Sequence, residues 1–335
     1  MTAIRTTQPL RPALTPSQTA ELAGLTVHDA ALIAAAMDAE LADSTRVQYA
    51  SAWRQWERWC LTRGVTALSA PPEAIAAFLV GRAETGLTYG SIEIGCSAIK
   101  YHYQRHGLPD PMADAMIRRV RRGLRRILGV APRVRSHALT VEQIGQMVSA
   151  IDTTTATSIR ARAIILLGFA SAVRPSELAA LDLTDITALP SGILMTIRRS
   201  KTDPTGRGQL VGVVRGDHPH TDPVAALAVW TACRPVGPGP LFTRIHRTGV
   251  VTAIGLDVRT ISRTITSRAT SAGLDALPVF GHSLRAGHAT TAAANGASID
   301  RIAAQTRHRD LDTLIEHYIR PATALSTSTS ADLGL

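Results

Sequence analysis

Near its carboxyl end the chain carries His282-Ser283-Leu284-Arg285, then His308, then Tyr318, the only tyrosine after Tyr103. On a helix His282 and Arg285, three positions apart, face the same way, so one imidazole and one guanidinium can hold the same phosphate. With a second histidine and an isolated phenol, the set has the parts needed to cut a nucleic-acid strand. Cations hold the phosphodiester, a base takes a proton, and a tyrosine oxygen attacks and stays attached. Taken singly, each residue also has a plain structural reading as a helix-start histidine or a surface arginine.

Upstream segments supply further candidates. In Phe169-Ala-Ser-Ala-Val-Arg174-Pro175-Ser176-Glu177-Leu178 an arginine stands just before a helix start, because proline suits the first helical position. There its guanidinium lies beside helix N-terminal amides, which also attract anions. Arg198-Arg199-Ser200-Lys201-Thr202 opens a turn rich in Gly, Pro and Asp. Of 36 basic residues only Lys100 and Lys201 are lysines. A lysine kept against that bias points to a task arginine cannot do, namely giving up a proton.

The elements that must position these groups fit a chain of 335 residues, long enough for two cores. Residues 1–42 read as a flexible segment with one helix, from about Val27 to Leu41. A helical domain follows over 43–128. Its first helix is capped at Asp43-Ser44 and puts Trp53, Trp56 and Trp59 on one face, as core. Pro72–Glu84, Tyr89–Gly107 and Pro111–Leu128 read as three more helices. In the last, Met116, Val120, Leu124 and Ile127 form an apolar stripe among Arg118, Arg119, Arg121, Arg122, Arg125 and Arg126. An arginine run without intervening acid repels itself and suits a phosphate backbone, so Arg118, Arg121, Arg122 and Arg125 are candidate DNA contacts. A linker over 129–138 leads to a second domain over 139–320, opening on the capping box Thr140-Val141-Glu142-Gln143. Helices run to Leu181, and Gly192–Arg198 and Gln209–Val214 read as strands flanking a turn. Helices resume at Asp222–Thr231, at Val258–Ala272 and from Ser283. Residues 321–335 form a tail.

A net charge of +10 and a pI near 10.5 favour a polyanionic partner, although a basic proteome gives the same charge. Cys60, Cys96 and Cys233 lack paired spacing, which leaves neither a disulfide framework nor a zinc motif and fits a reducing cytoplasm. No signal peptide or bilayer-spanning apolar run is visible. Asp217-His218-Pro219-His220 has metal-like residues but reads as a solvated loop.

Arg174 within Ala-Val-Arg-Pro-Ser-Glu-Leu, Lys201 in a hairpin, His282-x-x-Arg285, His308 and Tyr318 resemble, in this order and spacing, the signature of the tyrosine recombinases, the phage integrase family. The stretches Arg244-Ile-His-Arg-Thr-Gly-Val, His282-Ser-Leu-Arg and Tyr318-Ile-Arg are similar to its Cre-like members. The resemblance implies a mainly α fold with a small β-sheet. An all-α, SAM-like core-DNA-binding domain and an α+β catalytic domain would form a C-shaped clamp on DNA. It implies a site-specific recombinase that cleaves strands through a 3′-phosphotyrosine and exchanges them through a Holliday junction, without ATP or metal. Arg174 and Arg285 would stabilise charge on the phosphate, His282 would take the proton of Tyr318, and Lys201 would give one to the leaving 5′ oxygen. His308 would hydrogen-bond the phosphate, and Glu177 would orient a neighbour such as His282. The partner would be double-stranded DNA with inverted-repeat sites, bound by a homotetramer on two sites and by a monomer or weak dimer off DNA. The tail would dock on a neighbouring protomer, in a cytoplasmic, nucleoid-associated protein. Arg244, Arg247, Arg259 and Arg263 would lie along DNA.

Two departures from the family's pattern stand out. Thr306-Arg307 precede His308 where the family has Leu-Gly, and the gap from His308 to Tyr318 is one residue longer. Either the loop Arg309–Asp312 absorbs the extra residue or His308 is not the family's second histidine. Matching forward from Ser298 gives His308, matching back from Tyr318 gives Arg309, and His308 with a loop insertion is the preferred reading. Three rivals use parts of the same set. They are a type IB topoisomerase with nearly the same groups, a non-catalytic DNA-binding protein that kept the fold, and a plain helix-turn-helix reader formed around Asn295-Gly296.

Overall fold

The protein is described from a computed structural model, which covers residues 24, 26–131, 133–200, 203, 205–319, 324 and 328–333. Lys201, Thr202, residues 1–23 and about half of the carboxyl tail lie outside the described residues. The chain divides into two compact units, Met1–Arg133 and Val134–Leu335. Among the described residues no helix is long and apolar enough to cross a membrane.

The first unit is helical: α1 (Val27–Asp38), α2 (Asp43–Leu61), α3 (Pro72–Glu84), α4 (Tyr89–Arg105) and α5 (Ala115–Leu128). Thr26 closes a capping box on α1. Helix α2 packs on α4, and α3 on α5. Trp53 and Trp56 enter the core with Phe78, Leu79, Ile92 and Ile99, and Trp59 stacks on Trp56 from its edge. The buried Trp56 indole N–H and the Tyr103 hydroxyl both donate to the Ala67 carbonyl, each at 3.1 Å, which satisfies two polar atoms in an apolar core.

Two local expectations are corrected. Helix α2 begins at Asp43 behind Ala42, which makes no side-chain cap. The segment Pro111–Leu128 is a 3₁₀ turn (Pro111–Ala113) and a separate α5, split at Asp114, whose carboxylate caps the Met116 and Ile117 amides at 2.8 and 3.2 Å. Ile117 and Leu124 are buried with Val120 and Leu128 against them, whereas Met116 and Ile127 face outward.

The second unit is built around α7 (Ala156–Ser171), apolar on nearly all sides and therefore buried. It is contacted by α6 (Val141–Ser149), α8 (Pro175–Ala180), α9 (Pro223–Cys233), α10 (Val258–Ser271) and α11 (Ser283–Ala294). Thr140 and Gln143 form the expected capping box of α6. An antiparallel sheet runs in the order β1 (Ile186–Leu189), β2 (Gly192–Ile197), β3 (Gln209–Val214). Alternation turns Ile193, Met195 and Ile197 of β2 and Val211 and Val213 of β3 into the core. The register ends with Ile197 opposite Gln209, so the segment containing Lys201 connects two paired strands. A second hairpin, β4 (Thr243–Ile245) with β5 (Val251–Gly255), carries Arg244 and turns at Arg247. Beyond α11 come α12 (Ile299–Thr306), α13 (Leu311–Leu314) and a π-helical turn over Ile315–Ile319.

Candidate active site

Arg174 is placed by the end of one helix and the start of the next. Helix α7 stops at Ala172, which adopts the left-handed conformation (φ 52°) and reverses the chain. Arg174 is then the N-cap of α8, with Pro175 at the first helical position. Glu177, one turn on, accepts the Arg174 backbone N–H at 2.7 Å on one oxygen and the Arg174 guanidinium at 2.7 Å on the other. The first of these oxygens also accepts Nη2 of Arg307. The orienting role expected of Glu177 thus falls on two arginines, Arg174 and Arg307.

His282 and Arg285 stand at the start of α11, as the three-residue spacing required. The helix can seat here because position 287 is glycine, where a Cβ would come within 2.1 Å of the Leu139 carbonyl oxygen. Arg285 is 1% exposed, and its Nη1 donates to the Ala172 carbonyl at 2.7 Å. The left-handed turn at Ala172 therefore aims a carbonyl at the arginine that follows it by more than a hundred residues.

Helix α12 ends at Arg307, also left-handed (φ 56°). Among the described residues Ala172 and Arg307 are the only non-glycine residues with positive φ, and both border this site. Each such conformation costs on the order of 1 kcal/mol. His308 follows at once. The Thr306 hydroxyl donates its single proton to the Ile302 carbonyl at 2.6 Å, so its 2.7 Å contact with His308 Nδ1 requires an N–H there. His308 Nε2 is then a bare acceptor facing Arg285 Nη2 at 3.4 Å. Burial, with Arg285, Arg174, His282 and Arg307 nearby, pushes the His308 imidazole down to about 4. His308 is therefore neutral at physiological pH.

Tyr318 closes the group. Its hydroxyl lies 3.2 Å from His282 Nε2, within reach for proton transfer, and its ring lies 5.7 Å from that of His308. Burial raises the phenol's pKa above its ordinary value, although Arg285 and Arg174 pull it the other way. The phenol accordingly needs a base. Burial, with Arg174 and Arg307 close by, brings the Arg285 guanidinium down to about 9, still protonated at neutral pH.

Tyr318 is carried on a π-helical turn over Ile315–Ile319. Tyr318 and Ile319 pack against Ala289, Ala293, Ile302 and Leu314, which docks the segment on α11 and α12.

Six of the seven expected residues are described: Arg174, Glu177, His282, Arg285, His308 and Tyr318. Hydrogen bonds link Arg174 to Glu177, His282 to Tyr318 and Arg285 to His308. Lys201 lies outside the described residues. Sequence reasoning missed Thr306 and Arg307 as site residues, and the break from the Leu-Gly pattern was their only sign. Among the described residues no cluster of three or more His, Cys, Asp or Glu is placed to hold a metal ion. Asp217–His220 is an exposed loop, with His220 on the Ser149 hydroxyl at 3.2 Å.

The expected DNA contacts divide into free and committed groups. Arg118, Arg122 and Arg125 are exposed on α5. Arg121 is instead held in a two-pronged pair with Glu93 of α4, at 2.9 and 2.6 Å. Arg247, Arg259 and Arg263 are exposed, and Arg244 reaches Asp257, the N-cap of α10, at 3.6 Å.

Comparison with known proteins follows the same lines. Residues 137–324 match the model of the phage integrase family. The chain is 30% identical over 289 residues to an integrase/recombinase XerD homolog of Selenomonas ruminantium, covering 83% of this chain and 82% of that protein. In fold it is similar to the Tn1549 transposon integrase in complex with transposon right end DNA (TM-score 0.57, 16% identity, 83% of this chain and 90% of that one). It is likewise similar to a lambda integrase dimer bound to a COC′ core site (TM-score 0.56, 18% identity, 83% and 72%). A third likeness is to the XerH site-specific recombinase bound to palindromic difH substrate (TM-score 0.53, 15% identity, 79% and 71%).

Proposed function

The chain belongs to the phage integrase family and is a tyrosine site-specific recombinase, and from that premise we propose that Tyr318 is its nucleophile and His282 the base that activates it. The observation that carries this reading is the 3.2 Å contact between His282 Nε2 and the Tyr318 hydroxyl, beside two buried or half-buried arginines. In the proposed step the Tyr318 oxygen bonds to phosphorus and its proton passes to His282. The bond from phosphorus to the 5′ oxygen breaks, and that oxygen takes a proton from Lys201. Arg174 and Arg285 stabilise the added charge on the non-bridging oxygens, an effect strongest in a site shielded from water. Glu177 holds Arg174. For His308 to hydrogen-bond the phosphate that displaces it from Arg285, Nε2 must gain a proton, by a change of tautomer or by protonation.

The 3′-phosphotyrosine keeps the energy of the broken bond, so the free 5′-hydroxyl of a partner strand can reverse the step on a new strand. Two rounds pass through a Holliday junction. The partner is double-stranded DNA carrying inverted-repeat sites, bound by four protomers on two sites. The protein off DNA is a monomer or weak dimer, cytoplasmic and associated with the nucleoid. Arg118, Arg122, Arg125, Arg244, Arg247, Arg259 and Arg263 are the arginines offered to DNA.

The test is a Tyr318→Phe variant. It is expected to bind DNA as the parent does and to form no covalent adduct on a denaturing gel. An adduct that persists removes Tyr318 from this role. Relaxation of supercoils without joining of two sites favours a topoisomerase instead.

A further inference from the structure

Arg307 is an expensive residue to keep. Its backbone is left-handed, its side chain is 3% exposed, and its Nε is buried with no hydrogen-bond partner. Glycine adopts that backbone without strain. Its remaining donors go to the Gln305 carbonyl at 3.1 Å and to Glu177. What the arginine secures in return is the Glu177 carboxylate, which is itself 2% exposed and already paired with Arg174.

Formal charge shows why that matters. Glu177 and Arg174 alone form a neutral pair, and an arginine already neutralised by a carboxylate is a weak anchor for an anion. Adding Arg307 makes the trio +1, and Arg285 brings the site to +2. We propose that Arg307 is a positioning residue for strand cleavage: by sharing Glu177 it compensates the carboxylate's charge and leaves Arg174 a net cation toward the scissile phosphate. Its field extends across the site, since Arg307 is among the charges that lower the pKa of both Arg285 and His308. The geometry agrees. One Glu177 oxygen is shared by the Arg174 amide and Arg307, which leaves the other for the Arg174 guanidinium. Without Arg307 the carboxylate is free to swing both oxygens onto the Arg174 guanidinium.

The inference rests on the Tyr318 reading, and one experiment separates the two. Arg307→Gly and Arg307→Asn both suit a left-handed backbone and both remove the charge. Arg307→Lys restores it. Single-turnover formation of the covalent adduct is measured on a cleavage substrate with an ordinary phosphodiester at the scissile position. The same measurement is made with a methylphosphonate there, which carries one negative charge fewer. Both neutral variants are expected to slow the phosphodiester reaction by about 10-fold or more, the methylphosphonate reaction by less than about 3-fold, and to bind DNA as the parent does. Arg307→Lys is expected to recover most of the phosphodiester rate. If one neutral variant fails to fold, the other carries the comparison. Equal slowing on the two substrates overturns the proposal, since a purely structural role does not distinguish them, and so does an unchanged phosphodiester rate. Failure of the parent protein to form any adduct on Tyr318 overturns the catalytic reading instead.

Discussion

At the scale of single residues, the site is held by hydrogen bonds whose direction can be worked out from proton counts. Thr306 has one hydroxyl proton and gives it to Ile302, which fixes His308 as an Nδ1–H tautomer with Nε2 toward Arg285. Burial, and after it the neighbouring cations, then keep that imidazole neutral, its pKa pushed down to about 4 from an ordinary value near ~6.5. The sign follows from proton binding. Between those two pH values the unfolded chain holds more protons at this residue than the folded one, so folding stability rises with pH there. His308 therefore contributes stability that is fully present above about pH 6.5 and is lost as pH falls toward 4. Chemical denaturation of the parent and of His308→Gln at pH 7.5 and 4.5 reads this directly. The parent is expected to lose more stability on acidification than the variant. Parallel losses in the two proteins would show that His308 is not held neutral. His282, Arg285 and Tyr318, which the structure brings together, could be singled out in the sequence by residue type and spacing. Thr306 and Arg307 could not, because their roles depend on a backbone reversal and on burial that neither spacing nor composition reveals.

At the scale of elements, long helices were legible from local start signals, the capping box at Thr140-Val141-Glu142-Gln143 and the proline that opens Pro72–Glu84. The phase of α5 was not. With arginines on most faces, a stripe through Met116 and one through Ile117 read alike, and packing against the rest of the unit buries the second. The strands β1, β4 and β5 were missed for a related reason: they are 4, 3 and 5 residues long and mostly unburied, so they show little alternation. The π turn over Ile315–Ile319 leaves no local mark in the sequence. That turn is anchored by Leu314, which is fully buried against Ala289, Ala293 and Ile302. Leu314→Ala removes the anchor and leaves a cavity, at a cost of about 2–4 kcal/mol. Because the cluster is small and separate from the main core of the second unit, the loss is expected to fall mostly on the last segment. Adduct formation should drop sharply while DNA affinity stays near that of the parent. Hydrogen exchange should speed up over residues 311–319 and change little in α7. Uniform acceleration across the second unit would show that the segment does not open on its own.

At the scale of the whole molecule, a charge of +10 favours an anionic partner but does not say which arginines meet it. The structure of the first unit separates them. Arg118, Arg122 and Arg125 are exposed on α5, and Arg121, in the same run, is taken by Glu93. The sequence could not draw that line, because Glu93 lies on a different helix and reaches Arg121 only through the packing around α4. Counterion release turns the distinction into a measurement. For every arginine that no longer neutralises a phosphate, the slope of log affinity against log salt falls by roughly 0.9 on duplex DNA. Replacing Arg118, Arg122 and Arg125 together by alanine is expected to flatten the slope by about 2–3 and to leave thermal stability nearly unchanged. Arg121→Ala is expected to do the reverse. Its slope should match the parent's, and the first unit should lose about 1 kcal/mol or more as Glu93 is left without its bidentate partner. A flattened slope in Arg121→Ala would mean that Arg121 leaves Glu93 for a phosphate when DNA binds. An unchanged slope in the triple variant would mean that this face of α5 does not meet DNA, and that the arginines of the second unit carry the backbone contacts.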